Sequence, residues 1–145
     1  MNGAGLALAA VLAVAPLACG GSPAGPSEVA KLGEVFTVEN GGSSVIVDGY
    51  LGVSFEELLA DSRCPVDVNC ITGGDAAIRV NVRTSPDKSP VTQLTLHTGP
   101  DGNFPREVDI DSARRLTLID LKPRPRGGIQ VAPGEYKATL KVTAR

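Results

Sequence analysis

Residues 76–83 read Ala76-Ala77-Ile78-Arg79-Val80-Asn81-Val82-Arg83. Ala76, Ile78, Val80 and Val82 fall on one side of a period-two pattern and Ala77, Arg79, Asn81 and Arg83 on the other, which is the spacing of a pleated strand that buries one face. The closing stretch repeats it, with Tyr136, Ala138, Leu140 and Val142 set against Lys137, Thr139, Lys141 and Thr143. A one-sided strand needs a second sheet to cover its apolar face, so a sandwich is expected.

Runs of the same kind fill the chain between these two. The expected strands are Glu34–Val38, Ser44–Asp48, Tyr50–Leu58, Asp75–Arg83, Thr92–Thr98, Glu107–Asp111, Arg115–Leu121 and Glu135–Thr143. Turn chemistry separates them: Asn40-Gly41-Gly42, Ser85-Pro86-Asp87, Gly99-Pro100-Asp101-Gly102 and Arg126-Gly127-Gly128. The fold predicted is a single small all-β sandwich of about seven to eight strands, immunoglobulin-like or related. There is no Trp, and no Cys pair bridges distant strands, so an antibody-type core is not expected. One stretch competes with the all-strand reading: Phe55–Ala60, FEELLA, has the composition of a helical turn.

The chain has 145 residues, a formal net charge of -2 and aromatics at only 3%. That length supplies one domain with an adequate core, and two would each be too small. With so few rings the core must come from Val, Ile, Leu and Ala, and no aromatic platform for stacking bases or sugars is available. A pI near 5.4 argues against a nucleic-acid partner, because phosphate binding draws on a surplus of Lys and Arg. The mean hydropathy of +0.07 is inflated by the N-terminal run.

That run, Leu6–Leu17, reads LALAAVLAVAPL, uncharged and about as long as the apolar region of a secretory signal but too short to span a bilayer. It ends at Leu17-Ala18-Cys19-Gly20-Gly21, which resembles the bacterial lipobox, with Pro16 where Leu is usual. The resemblance implies a signal peptide over 1–18 and a diacylglycerol on the Cys19 thiol. Acylation with two or more chains gives lasting membrane attachment. Three Cys in an exported chain leave one without a partner, and Cys19 is where acylation consumes it. Gly20 rather than Asp follows the Cys, which by resemblance to Gram-negative lipoproteins implies outer-membrane sorting, so the expected address is exported and lipid-anchored, at the outer membrane or periplasmic face. Residues 19–28 contain GGSPAGPS, a Gly, Pro and Ser tether, and the sandwich is expected over 29–145.

Between two strands lies Asp61-Ser62-Arg63-Cys64-Pro65-Val66-Asp67-Val68-Asn69-Cys70. Two Cys six apart around a Pro-containing turn pair in an oxidising compartment, and Cys64–Cys70 is the expected disulfide. Neither the spacing of a zinc site nor that of a dithiol redox site is present. The segment, with Gly74-Asp75-Ala76 downstream, resembles a group of uncharacterised bacterial lipoproteins and secreted proteins that carry DSRCP, a second Cys and then a Trp-small-Gly stretch; Thr72 stands here in place of the Trp. The likeness extends to Leu121-Lys122-Pro123-Arg124-Pro125 and to Tyr136–Leu140. It implies the address and the fold and supplies no chemistry.

His97 is the sole histidine and sits on the strand face opposite Leu94 and Leu96, where a solvent-facing side chain is expected. No nucleophile-elbow motif accompanies it. Asp101-Gly102-Asn103 with Asp109 and Asp111 gathers oxygen ligands of the type calcium takes, without EF-hand spacing, and turn chemistry accounts for it. Asp61, Asp67 and Asp75 surround the Cys loop, where an ion pair with Arg63 is expected rather than a metal. Lys122, Arg124 and Arg126 alternate with Pro123 and Pro125, and Arg114 and Arg115 lie just upstream. Arg115, Lys122, Arg124 and Arg126 are therefore the candidate contacts to an anionic partner, whether lipid head groups, lipopolysaccharide or an acidic envelope protein.

The function expected is a lipid-anchored cell-envelope binding or interaction module, with no cofactor, metal or catalytic residue assigned. The alternatives are an envelope enzyme or enzyme inhibitor using His97 or a carboxylate pair among Asp61, Asp67 and Asp75, and a calcium-stabilised structural module.

Overall fold

The structure, a computed structural model, describes residues 28–85, 90–99 and 104–145. The expected signal peptide, Cys19 and the Asp101-Gly102-Asn103 turn lie outside the described residues. Within them the chain forms nine strands: β1 Val29–Ala30, β2 Val35–Glu39, β3 Val45–Val47, β4 Leu51–Asp61, β5 Ala76–Arg83, β6 Thr92–His97, β7 Glu107–Asp109, β8 Arg114–Lys122 and β9 Lys137–Ala144. A 3-10 turn at Pro133–Glu135 leads into β9. The all-β sandwich expected from the alternation is what forms. The ninth strand is the two-residue β1, too short to carry a periodic pattern.

One sheet has the order β1-β3-β4-β5-β6 and the other β2-β9-β8-β7. Every pair is antiparallel except β1 with β3. The inward sets are those the period-two pattern selects: Ile78, Val80 and Val82 from β5, and Ala138, Leu140 and Val142 from β9, all buried. Phe36 and Val38 of β2, Leu51, Val53 and Phe55 of β4, and Leu116, Leu118 and Leu121 of β8 complete one continuous core. The spacing of that last trio breaks strict alternation because a bulge between Leu118 and Asp120 resets the register and turns Leu121 inward.

FEELLA is strand, not helix. β4 continues to Asp61, past the expected end at Leu58, and pairs with β5 along its whole length through two bulges, between Phe55 and Glu57 and between Leu58 and Ala60. Helix propensity loses here because Phe55, Glu57, Leu58 and Ala60 pair with β5 on either side of the bulges, while Glu56 and Glu57 accept bonds from Asn81 and Arg79 on the exposed face. The β3–β4 hairpin turns through the three residues between Val47 and Leu51, with Asp48 and Gly49 at positive φ (50° and 78°) and the Tyr50 N–H donating to Val47 O at 3.3 Å.

Candidate functional site

β4 and β8 both run out at one end of the sandwich, and the loops that follow them are built against each other there. The hinge of that end is Arg63. Its Nε and Nη2 donate to the two Asp61 carboxylate oxygens at 2.8 and 2.6 Å, and its Nη1 and Nη2 donate to the backbone oxygens of Leu121 and Pro123. The fork geometry of guanidinium lets one side chain grip a carboxylate and two carbonyls at once. Asp61 also accepts the Tyr136 hydroxyl at 3.1 Å. Burial pushes the Asp61 pKa upward, but the Arg63 hydrogen bonds and charge, with the Tyr136 hydroxyl, outweigh it and hold the carboxyl below its ordinary range. Tyr136 moves the other way, raised by burial and by the Asp61 charge beside it. The ion pair expected for Arg63 is thus formed, with Asp61.

Beyond Arg63 the two loops are fastened along their length. Val66 N–H donates to Pro125 O at 3.0 Å, and Gly127 N–H donates to the Asp67 carboxylate at 2.7 Å. The Cys64 and Cys70 sulfurs lie at disulfide-bonding distance, with Cα atoms 5.9 Å apart, so the 64–70 turn is closed on itself. The loop returns to β5 through Gly74, at φ 65°, where a Cβ would stand 1.8 Å from Ser62 O, so only glycine fits.

On this platform Lys122, Arg124 and Arg126 stand exposed, as the Pro-interrupted sequence predicts. Lys122 Nζ approaches Asp120 only to 3.9 Å, and Arg124 and Arg126 form no ion pair among the described residues. Around them Val66, Val68 and Ile129 are about half exposed and Ile71 fully so. Alternation gave no warning of these apolar side chains, because they lie in turns where no period applies.

Arg115 does not belong with this group. It sits at the start of β8, seven residues or about 23 Å of strand from Lys122, and donates to Asp109 at 2.8 Å and Glu107 at 3.3 Å. Nearby, Arg114 binds Asp111 and lies 5.1 Å from the Tyr50 ring centroid, and Arg145 reaches Asp109 at 3.4 Å. The hydrogen bonds and charge of Arg115 and Arg114 lower the pKa values of Asp109 and Asp111 respectively. The two carboxylates considered as calcium ligands are therefore occupied by guanidinium groups. Among the described residues no three His, Cys, Asp or Glu side chains gather as a metal-binding set.

His97 departs from the solvent-facing expectation. The chain after β6 folds back over its ring: Pro105 O accepts the His97 N–H at 3.0 Å, and the Phe104 ring lies 5.0 Å away. His97 Nδ1 meets Asp75 Oδ2 at 2.5 Å. A carboxylate only accepts, so Nδ1 carries the proton. Asp75 Oδ1 takes the Thr98 N–H and hydroxyl and the Gly99 N–H. Burial raises the Asp75 pKa, and the His97 bond, the Gly99 and Thr98 bonds and the His97 charge outweigh it and lower it. The signal that locates this pair is register: Ala77 lies opposite His97, which makes Asp75 its diagonal neighbour on the same face. The pair borders a groove of about 600 Å³ lined also by Ala60, Ala77 and Thr72.

No family model matches this chain, and no curated protein and no solved structure matches it either.

Proposed function

We propose that the protein is an exported, lipid-anchored module of the bacterial cell envelope that binds an anionic partner through the disulfide end of its sandwich. The observation that carries this is the pair of fastened loops, 62–75 and 122–131, with Lys122, Arg124 and Arg126 exposed among exposed apolar side chains. Rigid loops present those charges without the ordering cost a floppy loop incurs on binding. Each Lys or Arg near an anionic surface contributes about 1 kcal/mol. Support for export comes from Cys64 and Cys70 at bonding distance, since such bonds persist in oxidising compartments, and from the lipobox resemblance at Cys19. Acylation there sets the address as the outer membrane or periplasmic face. The test is photo-crosslinking in intact envelopes from position 129, at the disulfide end, against position 50, at the other. Adducts dominated by position 129 support the reading; equal yields contradict it.

A second reading rests on the Asp75–His97 pair. A carboxylate that fixes Nδ1–H leaves Nε2 as an acceptor, the arrangement of a general base. Against it, Ser62 in the same groove spends its hydroxyl on the Asp75 backbone, bonding Asp75 O at 2.9 Å and Asp75 N at 3.1 Å. Turnover of chromogenic esters or amides that His97→Ala abolishes favours the enzyme; wild-type protein inert to both excludes ester and amide hydrolysis.

A further inference from the structure

Inside the disulfide end, three guanidinium groups line one notch. Arg63, Arg106 and Arg124 border a cavity of about 280 Å³ floored by the Gly73-Gly74 backbone, several times the ~30 Å³ a liquid water occupies. Arg63 is held by Asp61, whereas Arg106 and Arg124 form no ion pair among the described residues and Arg106 donates only to Ile119 O. Asp120 is the carboxylate on the rim, and its Oδ1 accepts its neighbour's backbone N–H from Leu121. Clustered guanidinium donors with spare hydrogen-bonding capacity match the oxygens of a phosphate. Arg124 is shared with the outer groove of Lys122, Arg126 and Ile129, so notch and loop surface are continuous.

The chain's route into the sandwich bears on which phosphate. β1 is parallel to β3, and β3 is antiparallel to β4, so the chain traced back from Ala30 toward Glu28 runs in the direction in which β4 advances on Asp61. Glu28 O accepts the Ile46 N–H, which sets it level with Val53 of β4. From that level to Asp61 the sheet advances the six residues that separate Val82 from Ala76 on β5, about 20 Å. The nine residues from Cys19 to Glu28 reach at most about 30 Å. An anchor at Cys19 and the disulfide end can therefore meet the same surface.

We propose that the disulfide end seats on the anionic lipid leaflet that holds the anchor, with a headgroup phosphate in the Arg106–Arg124 notch and Val66, Val68 and Ile129 at the boundary between head groups and acyl chains. This rests on the reading above that the disulfide end is the binding end. Cationic groups flanked by apolar side chains are the pattern of an interfacial contact. Within the two loops the carboxylates that oppose the charge of Lys122, Arg124 and Arg126 are Asp67, turned onto the Gly127 N–H, and Asp75, taken up by His97, Thr98 and Gly99.

The test uses the acylated protein purified from envelopes and reconstituted into phosphatidylglycerol or phosphatidylcholine vesicles, read by amide hydrogen exchange. The anchor tethers it to both. Exchange in 64–71 and 122–131 slowed on phosphatidylglycerol alone, with Arg106→Ser/Arg124→Ser weakening that protection roughly thirtyfold, supports docking. Equal exchange on the two lipids overturns it, as does protection produced by inorganic phosphate with no further gain on phosphatidylglycerol. If exchange is equal but crosslinks to an acidic envelope protein from position 129 vanish with Arg124→Ser/Arg126→Ser, lipid docking fails while the binding module stands. If those crosslinks also match position 50, both fall.

Discussion

Strand β8 begins and ends in basic residues, and its two ends treat them oppositely. At its start Arg114, Arg115 and, from the C-terminus, Arg145 meet Asp111, Asp109 and Glu107. At its far end Lys122, Arg124 and Arg126 face water, and the carboxylate that lies there deepest, Asp61, is spent on Arg63. A concentration of charge along a sequence is thus two different things in space: a neutralised edge at one end and an unspent field at the other. The unspent end is also the one with the disulfide and the interlocked loops, so the structural investment is made where the charge is left free.

Removing the clamp that holds the free end together should have the largest effect. Arg63 and Asp61 side chains are only 10% and 9% exposed, and Arg63→Ala leaves a buried carboxylate with the backbone N–H of residue 63 and the Tyr136 hydroxyl but no countercharge. A loss of about 3 kcal/mol in urea unfolding is expected; a loss below about 1 kcal/mol would mean that the loops are held without it. Next comes the cross-link. Cys64→Ser/Cys70→Ser opens a short ring worth roughly 2 kcal/mol in the chain-entropy model, and the loss should match that on reducing the wild type. Acid should act more gradually. Asp61 and Asp75 have folded pKa values below their unfolded ones, so the stability they add is present above the ordinary carboxylate pKa and drains away as pH falls through the lowered folded values. Asp61→Asn should flatten the melting temperature across that acidic window while lowering it at neutral pH; an unchanged slope removes Asp61 from the acid response. The smallest stability effect belongs to Arg124→Ser/Arg126→Ser, within about 0.5 kcal/mol of wild type, although the same change should lower crosslinking from position 129. A large stability loss would show that these charges serve the fold.

Much of this was legible beforehand, for stated reasons. The residues of β5 and β9 alternate cleanly because one face of each is buried, and their burial follows the pattern. FEELLA was ambiguous because its helix-forming composition has no period-two signal of its own, and only pairing with Arg79 and Asn81 across the sheet makes it a strand. Lys122, Arg124 and Arg126 were readable as exposed because proline cannot join a ladder. Arg115 was grouped with them because nearness in sequence says nothing about which end of a strand a side chain occupies. His97 was misjudged as solvent-facing because its cover, Phe104 and Pro105, comes from the loop beyond the strand, outside any alternation rule.

The proposed export is the premise both of a lipid on Cys19 and of a lasting bond between Cys64 and Cys70, and intact-mass spectrometry of the native protein tests it most directly. The expected result is a chain that begins at Cys19, carries diacylglycerol there and lacks two hydrogen atoms at Cys64 and Cys70. A chain that keeps residues 1–18 and has three free thiols would contradict it.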